Sequence, residues 1–188
     1  MKTFTQHTLQ SAPAGAKPIL QEIQEKYGFI PNLFATFAEA PAVLEAYLAL
    51  SGALEKGALD PEERQIVLIA ASVENICTYC VAAHSTTARM QHMPAEVLHA
   101  IRTSTPLPDK KLDALVTLTR RVVRQRGRVS NAEVAHFLDA GYTKAQLLEV
   151  IGHVGLKTIS NYVNHVADTP LDRAFQAQAW EPRPAEAA

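Results

Sequence analysis

The sequence has little cysteine, with two residues of this type among 188. Two cysteines are too few for the disulfide framework of a small secreted protein. They lie three positions apart, as Cys77 and Cys80. In a reducing compartment, thiols spaced so closely are more typical of a reactive or metal-binding site than of a structural cross-link.

An excess of charge of one sign is also absent, because 18 basic residues stand against 19 acidic ones and the formal net charge is −1. Such a chain has no overall field that would attract nucleic acid or an anionic membrane surface. The longest uninterrupted apolar run covers residues 66–71, far short of the roughly 20 residues of a membrane-spanning helix. The first ten residues lack the apolar core of a signal peptide. We therefore expect a cytoplasmic protein that binds neither nucleic acid nor membranes.

Strand patterns are hard to find, whereas helix start signals recur along the chain. Asp60, Pro61 and Glu63 form one capping box, and similar boxes begin at Ser130 and Thr143. These signals and the helical spacing of apolar residues predict an all-α fold. The predicted helices cover residues 17–27, 32–39, 41–56, 60 to about 75, about 77 to 90, 94–102, 109–126, 131–140 and 143–166, with a short helix after residue 170.

The composition also predicts how the chain is divided. Residues 1–16 are polar and lack periodicity, so we expect a flexible N-terminal arm. Residues 17–180 form a single helical domain in this interpretation, since 47% of the chain is hydrophobic and its length suits one core. The Pro- and Ala-rich residues 181–188 are expected to be disordered.

The two cysteines and His84 share one face of a predicted helix. A single helix from Asp60 to Met90 would be about 30 residues long, so a break is expected near Asn75. The break puts Cys77 at or near the first turn of a new helix. Cys77, Cys80 and His84 then follow at i, i+3 and i+7, within roughly 60° of arc.

This arrangement predicts thiol redox chemistry. A helix N-terminus and a neighbouring imidazole both lower the pKa of a thiol, and the thiolate is the reactive form. His84 lies one turn after Cys80 and can take its proton directly or through one water. Attack of the Cys80 thiolate on a peroxide O–O bond would give a sulfenic acid, which Cys77 would convert to a disulfide. An outside dithiol would then regenerate the pair.

Other interpretations of these residues remain open. The cysteines can be an inert buried pair of small hydrophobic residues beside a surface histidine. Two thiolates and the His84 imidazole can also act as three zinc ligands with one open position. A c-type haem link is excluded because Val81, and not histidine, follows Cys80.

At these positions the sequence resembles a known family. Residues 63–85, ERQIVLIAASVENICTYCVAAHS, are similar to the core of the alkylhydroperoxidase AhpD-like, carboxymuconolactone decarboxylase superfamily, and the similarity extends over residues 59–101. Residues 158–165, TISNYVNH, followed by TPLD at 169–172, are similar to the closing helix of a peroxidase-like branch.

The resemblance implies an all-α, AhpD-like domain of about eight helices that forms homo-oligomers and needs no cofactor. It implies thiol peroxidase or disulfide reductase activity, in which Cys80 is peroxidatic, Cys77 is resolving and His84 belongs to a proton relay. The implied partners are a small hydroperoxide substrate and an external dithiol or thioredoxin-like electron donor. Decarboxylase members lack the paired cysteines, so the pair in this chain points away from them. The alternative from another class is a non-enzymatic redox-sensing or assembly protein of the same fold.

The sequence departs from the family pattern at two positions. Gln65 stands where the family commonly has its relay glutamate, and glutamine cannot accept and release a proton in that way. Glu63 and Glu74 are nearby substitutes, and we favour Glu74 because it lies one turn before Cys77; a solvated surface role is the alternative. Tyr79 stands where the best-known peroxidases carry a second histidine. Its phenol is a poor base at neutral pH, so turnover is expected to be slow.

The last long helix adds three polar candidates. Asn161, Asn164 and His165 can line a pocket or a subunit contact. For the histidine, a local hydrogen bond is the simpler expectation.

Overall fold

A computed structural model describes residues 4–182 of the chain. Within this range the protein has nine α-helices, one 3₁₀ helix and no strand, which confirms the all-α prediction. The ten elements correspond to the nine helices and one short helix predicted from the capping and apolar spacing, whereas the resemblance implied about eight; α2 and the 3₁₀ helix are six residues each. The elements are α1 (Lys17–Tyr27), α2 (Asn32–Phe37), α3 (Pro41–Leu54), α4 (Pro61–Glu74), α5 (Thr78–Met90), α6 (Ala95–Arg102), α7 (Lys110–Arg124), α8 (Asn131–Asp139), α9 (Lys144–Ala167) and the 3₁₀ helix (Arg173–Gln178).

All three predicted capping boxes are present. The side chains of Asp60, Ser130 and Thr143 each accept a hydrogen bond from the backbone N–H three residues later. The side chain at that later position binds the cap's own backbone N–H in return. Each box satisfies two of the donors that a helix N-terminus leaves unpaired, so α4, α8 and α9 begin where the sequence predicts.

A sharp reversal separates α4 from α5, as expected near Asn75. Asn75 caps α4, Ile76 adopts a left-handed conformation with φ 55°, and Cys77 is the extended N-cap of α5. The backbone N–H of Cys77 donates to the carbonyl of Ser72 at 2.9 Å. Left-handed backbone is unusual for a β-branched residue. This turn places Cys77 at the cap and Cys80 in the first turn of α5.

The apolar run of α4 forms the centre of the molecule. Every side chain from residue 66 to 73 is buried, because α5, α6, α7 and α9 all pack against this helix. One core cluster lies around α4 and α7, and a second contains Cys77, Tyr79, Cys80 and side chains of α1, α2 and α3. Both thiols therefore lie inside the second cluster, where α5 meets α9.

The segments outside the predicted domain pack in part against it. In the described part of the arm, the backbone N–H of His7 donates to Ala35, and Ala12 and Ala16 are buried. Flexibility of residues 1–16 stays a prediction. Most of the predicted disordered tail, residues 183–188, lies outside the described residues. Over residues 4–182, no helix has both the length and the apolar character needed to cross a membrane.

Candidate active site

Cys77 and Cys80 form a buried pair of free thiols at the start of α5. Each is 1% exposed, neither is in a disulfide, and the two residues lie 3.5 Å apart. The N-cap and first-turn positions direct the positive end of the helix dipole towards both sulfur atoms. A disulfide could therefore form with little movement of the backbone.

One face of α9 lies against the thiols with four buried polar side chains. Lys157, Ser160, Asn161 and Asn164 follow at i, i+3, i+4 and i+7, so they share one side of the helix. Asn164 Nδ2 donates to Cys80 Sγ at 3.2 Å and lies 3.7 Å from the sulfur of the other cysteine. Lys157 Nζ and Ser160 Oγ each lie 3.8 Å from Cys80 Sγ. These groups surround one sulfur atom with hydrogen-bond donors and a positive charge.

The environment separates the pKa values of the two thiols. Burial would raise the pKa of Cys80, but a hydrogen bond from Cys77, the charge of Lys157 and hydrogen bonds from Ser160 and Asn161 outweigh it and lower that pKa. The pKa of Cys77 is raised by its hydrogen bond to Cys80, by burial and by the negative charge of that neighbour. These opposite shifts favour the thiolate form of Cys80 and the thiol form of Cys77.

Lys157 is the countercharge to that thiolate. It is 1% exposed, and burial by itself would lower its pKa. The negative charge of Cys80 is the largest opposing cause, and with smaller contributions from Tyr47 and Cys77 it raises the pKa of Lys157. The ammonium and the thiolate thus stabilise each other's charged form inside the core.

His84 contacts the lysine and is held in one tautomer. Its Nε2 lies 2.7 Å from Lys157 Nζ, and its Nδ1 lies 3.1 Å from Gln65 Oε1. Burial, followed by the positive charge of Lys157, lowers the pKa of His84 well below its ordinary value. The neutral ring therefore accepts from the ammonium at Nε2 and donates from Nδ1 to the Gln65 amide oxygen. The described contacts form a chain from Cys80 through Lys157 and His84 to Gln65.

A cavity of about 450 Å³ adjoins these groups. Cys80, His84 and Lys157 line it, whereas Cys77 is not among the described lining residues. Cys80 is thus the thiol that a small molecule in the cavity would meet. Six of the lining residues are aromatic: Tyr27, Phe29, Phe34, Tyr47, Tyr79 and Phe175.

Comparison with known proteins agrees with this architecture. Residues 41–109 match the model of the Carboxymuconolactone decarboxylase family, and similar solved structures include AhpD-like proteins. The family match over residues 41–109 and the likeness of fold both support the resemblance to the AhpD-like, carboxymuconolactone decarboxylase superfamily. No curated protein matches the sequence.

Three solved structures illustrate the likeness. An uncharacterized peroxidase-related protein of Ralstonia eutropha JMP134, an alkylhydroperoxidase AhpD core, has a TM-score of 0.81 and 22% identity, covering 97% of this chain and 100% of that one. A peroxidase-related protein of Silicibacter sp. TM1040 has a TM-score of 0.79 and 19% identity, covering 94% and 96%. The debrominase Bmp8 has a TM-score of 0.79 and 18% identity, covering 95% and 96%. At these identities the likeness establishes the fold.

The two carboxylates predicted as substitutes for the superfamily's relay glutamate have other partners. Glu74 pairs with Arg124, at 2.9 Å for one of its two contacts, and lies 3.6 Å from Arg120. Glu63 completes the α4 capping box and binds Lys111 at 2.9 Å. We favoured Glu74 because it lies one helical turn before Cys77 in the sequence. That spacing does not hold across the reversal at Ile76, which separates α4 from α5. None of these described contacts supports a relay role for either carboxylate.

Tyr79, which stands where the resemblance led us to compare it with a second histidine, makes a structural contact. Its hydroxyl donates to Asp172 Oδ2 at 2.5 Å and accepts from the backbone N–H of Leu33 at 3.2 Å. Burial and the Asp172 carboxylate raise the pKa of Tyr79, so the phenol stays neutral. The Asp172 carboxylate also accepts from the N–H of Asn32. The cluster ties the C-terminal segment to α2 and α5.

Lys157 was not identified from the sequence, although this residue contacts both Cys80 and His84. The signal was present as four polar residues at i, i+3, i+4 and i+7 of α9. The segment identified by resemblance begins at 158, one residue too late. Asn164 does contact the thiols, whereas His165 is exposed and its ring lies against Tyr162.

The zinc interpretation required Cys77, Cys80 and His84 to converge on one point. In the described range, no three side chains of His, Cys, Asp or Glu are grouped as metal ligands. Both ring nitrogens of His84 have other partners, Lys157 and Gln65.

Proposed function

We propose that this protein is a thiol peroxidase that reduces a hydroperoxide with the Cys77 and Cys80 dithiol. The observation that carries the proposal is the position of Cys80. It is the thiol that faces the cavity, its pKa is lowered by Cys77 and Lys157, and a second thiol lies 3.5 Å away. Nucleophilicity and a resolving partner are what peroxide reduction by sulfur requires.

The first step breaks the O–O bond. The Cys80 thiolate attacks the terminal oxygen of ROOH, an S–O bond forms, and the alkoxide RO⁻ leaves. Cys80 becomes a sulfenic acid, and the alkoxide takes a proton to become ROH. The sulfur loses two electrons and the peroxide gains them.

Lys157 is the proposed proton donor to the alkoxide. Its ammonium lies 3.8 Å from Cys80 Sγ, and a proton given up there restores a neutral alcohol. His84 would orient this ammonium through its 2.7 Å contact, with Gln65 fixing the tautomer. In this scheme His84 acts on the lysine, in place of the direct proton transfer from Cys80 that the sequence predicted.

The second step closes the disulfide. The Cys77 sulfur attacks the Cys80 sulfenic acid, an S–S bond forms, and hydroxide leaves with the Cys77 proton as water. An external dithiol or thioredoxin-like donor then reduces the disulfide by exchange, returning both thiols. When Cys80 ionises again, its proton restores the ammonium of Lys157, so the cycle is balanced.

The proposal also concerns the domain, the cellular compartment and the substrate of the enzyme. Residues 17–180 would act as one domain, and the cytoplasm would supply the reducing conditions that keep the pair as thiols. The substrate would be a small hydroperoxide.

A second candidate is reductive dehalogenation of an aromatic compound. The aromatic lining of the cavity around a thiolate favours it, and Bmp8, with a similar fold, is a debrominase. In this reaction the aromatic halide gains hydrogen, halide is released, and the two thiols become the disulfide.

Consumption of hydroperoxide by the reduced protein tests the proposal. We expect one equivalent to be consumed without a donor and turnover with a dithiol. Cys80→Ser should abolish both, whereas Cys77→Ser should retain the first equivalent and yield a trappable sulfenic acid on Cys80 by mass spectrometry.

Three outcomes would contradict the peroxidase. Equal activity of Cys80→Ser and the parent would remove Cys80 from the chemistry. A single oxidation that no dithiol can turn over would indicate a redox sensor. Release of bromide from a bromopyrrole, with hydroperoxides left intact, would indicate the dehalogenase.

A further inference from the structure

We infer that the substrate of this site carries an aromatic ring, which binds among the aromatic side chains beside Cys80. The inference rests on the proposed peroxidase and names the class of hydroperoxide: one with an aryl group on the carbon that bears the peroxide. The specificity would come from Phe34 and Phe175, two lining residues that take no part in the thiol chemistry.

Aromatic side chains are concentrated at this cavity. Six of its seventeen lining residues are aromatic, whereas aromatic residues make up 6% of the chain. Half of all the aromatic residues in the protein thus meet at the one cavity that contains the reactive thiol. The enrichment is far beyond what an apolar wall alone would need, because leucine or valine would exclude water equally well.

The rings form two connected groups. Phe34 lies 6.1 Å from Tyr27 and 6.3 Å from Tyr47 between ring centroids. Phe175 lies 6.0 Å from both Phe29 and Tyr79, with the latter ring at 88°. Aromatic rings attract each other in tilted and edge-to-face geometries at centroid distances of 4.5–7 Å. A substrate ring would extend these two groups with the same geometry.

The size of the cavity argues against hydrogen peroxide as the preferred substrate. A water molecule occupies about 30 Å³ of liquid, and hydrogen peroxide has only one more oxygen atom. A cavity of about 450 Å³ is within the range of sites for organic ligands. With hydrogen peroxide bound, most of the apolar wall of the cavity would stay in contact with water. Hydrogen peroxide would therefore gain little binding free energy in this cavity.

Exposed lining residues indicate the side of the cavity from which a substrate enters. Tyr27 is 47% exposed and Met90 is 75% exposed, although both line the cavity. Cys80, at 1%, is at the buried end. A ring entering past Tyr27 would bury apolar surface of both partners, and the peroxide would remain directed towards the thiolate.

Two tertiary hydroperoxides provide a matched test. Cumene hydroperoxide and tert-butyl hydroperoxide differ only by a phenyl group in place of a methyl group. We expect kcat/KM to be at least about tenfold higher for cumene hydroperoxide, the discrimination that burial of a large apolar group gives. Phe34→Leu and Phe175→Leu should each reduce that ratio by about threefold or more.

The controls separate ring recognition from thiol chemistry. Oxidation of Cys80 by hydrogen peroxide, which has no ring, is measured in each variant, and the two kcat/KM values are normalised to that rate so that a general loss of activity does not count as a loss of ring recognition. Tyr162→Leu changes an aromatic residue that is 58% exposed and is not among the described residues lining this cavity, so it should leave the ratio unchanged. If one phenylalanine variant unfolds, as seen by circular dichroism, the other still provides the measurement.

The inference and the proposed function fail in different ways. Equal kcat/KM for both hydroperoxides, with a ratio that neither variant changes, would overturn the aromatic substrate and leave the peroxidase intact. If no hydroperoxide is consumed, the peroxidase fails, and calorimetry with cumyl alcohol against tert-butanol then tests the ring site directly. Tighter binding of cumyl alcohol that Phe34→Leu weakens would support the ring site; equal binding would overturn it.

Discussion

Lys157 is the residue on which the proposed chemistry depends most. A buried lysine would ordinarily lose its charge, because burial disfavours the ammonium. Here the thiolate of Cys80 lies 3.8 Å away and His84 accepts a hydrogen bond from the same nitrogen. Lys157 therefore keeps its positive charge. The free-energy cost of burying the ammonium is offset by its attraction to the Cys80 thiolate, and without the ammonium this sulfur would tend to stay protonated.

We predict that Lys157→Met raises the pKa of Cys80. In the parent protein that pKa lies below its ordinary value, so thiolate persists as the pH falls below about 8.5, the pKa of a free cysteine. Without the ammonium, the hydrogen bond from Cys77 still lowers the pKa of Cys80, but burial is opposed by less, so the titration should move to higher pH. At a pH below both titrations, the rate of Cys80 alkylation should fall about tenfold for each pH unit of that displacement. Ultraviolet absorbance of the thiolate against pH, with alkylation followed by mass spectrometry, measures the change.

Lys144→Met is the matched control, because Lys144 is exposed at the first position of the same helix. In Lys144→Met, Cys80 should titrate over the same pH range as in the parent protein. Lys157→Arg should retain part of the effect, since arginine keeps the positive charge. An unchanged titration in Lys157→Met would show that Lys157 does not ionise Cys80.

The meeting of α5 with α9 creates the site at the scale of elements. The reversal at Ile76 starts a new helix at the thiols, and the continuous 24-residue α9 brings its polar face against them. A third element closes the cavity: the 3₁₀ helix carries Phe175 and is held through Asp172 and Tyr79. Tyr79 therefore supports the cavity wall. The superfamily resemblance had suggested only a comparison with a histidine that transfers protons.

We predict that Tyr79→Phe loosens this wall. Loss of the hydroxyl leaves the Asp172 carboxylate and the Leu33 N–H, both now bonded to it, with one partner fewer in a buried setting. The free energy of unfolding should fall by about 1–3 kcal/mol. Hydrogen exchange at residues 172–178 should become faster, as urea unfolding and exchange mass spectrometry would show.

The ultraviolet titration of Cys80 should be unaffected in Tyr79→Phe, which distinguishes a wall defect from a catalytic one. Tyr27→Phe is the comparison, because its ring also lines the cavity while its side chain is half exposed. It should keep the parental stability. Parental exchange at residues 172–178 in Tyr79→Phe would contradict the proposed tie.

At the scale of the whole molecule, α9 presents an apolar stripe on the side opposite its polar face. The stripe consists of exposed residues spaced three, eight, three and four positions apart: Leu148, Ile151, Ile159, Tyr162 and Val166. Their exposure ranges from 38% to 70%, and Gly155 fills the middle of the stripe. Large contiguous apolar patches on a protein surface commonly mark interfaces. The predicted homo-oligomer would bury this stripe.

We predict that Ile159→Lys weakens self-association. A charge in the middle of the stripe would have to be desolvated in an interface between copies. Sedimentation velocity should show an oligomer for the parent and a shift to monomer for the variant, with an unchanged helical circular dichroism spectrum. Val43→Lys is the control, since Val43 is exposed to a similar extent on α3. A parent that is monomeric at micromolar concentration would rule out the oligomer.

Short-range signals in the sequence were sufficient to predict the helices and the local order of the redox motif. Capping boxes and apolar spacing are short-range signals, so they predicted the starts of α4, α8 and α9 and the break before Cys77. Within α5, helical geometry alone predicted that Cys77, Cys80 and His84 share a face.

The groups that lie between those residues depend on how separate helices pack together. Lys157 is 73 residues from His84 in sequence, and no helical spacing predicts its insertion between the imidazole and Cys80. The direction of Glu74 and the gathering of aromatic rings beside the thiolate depend in the same way on the packing of separate elements. Local periodicity fixes which face a side chain occupies, and packing of whole helices fixes what that face meets.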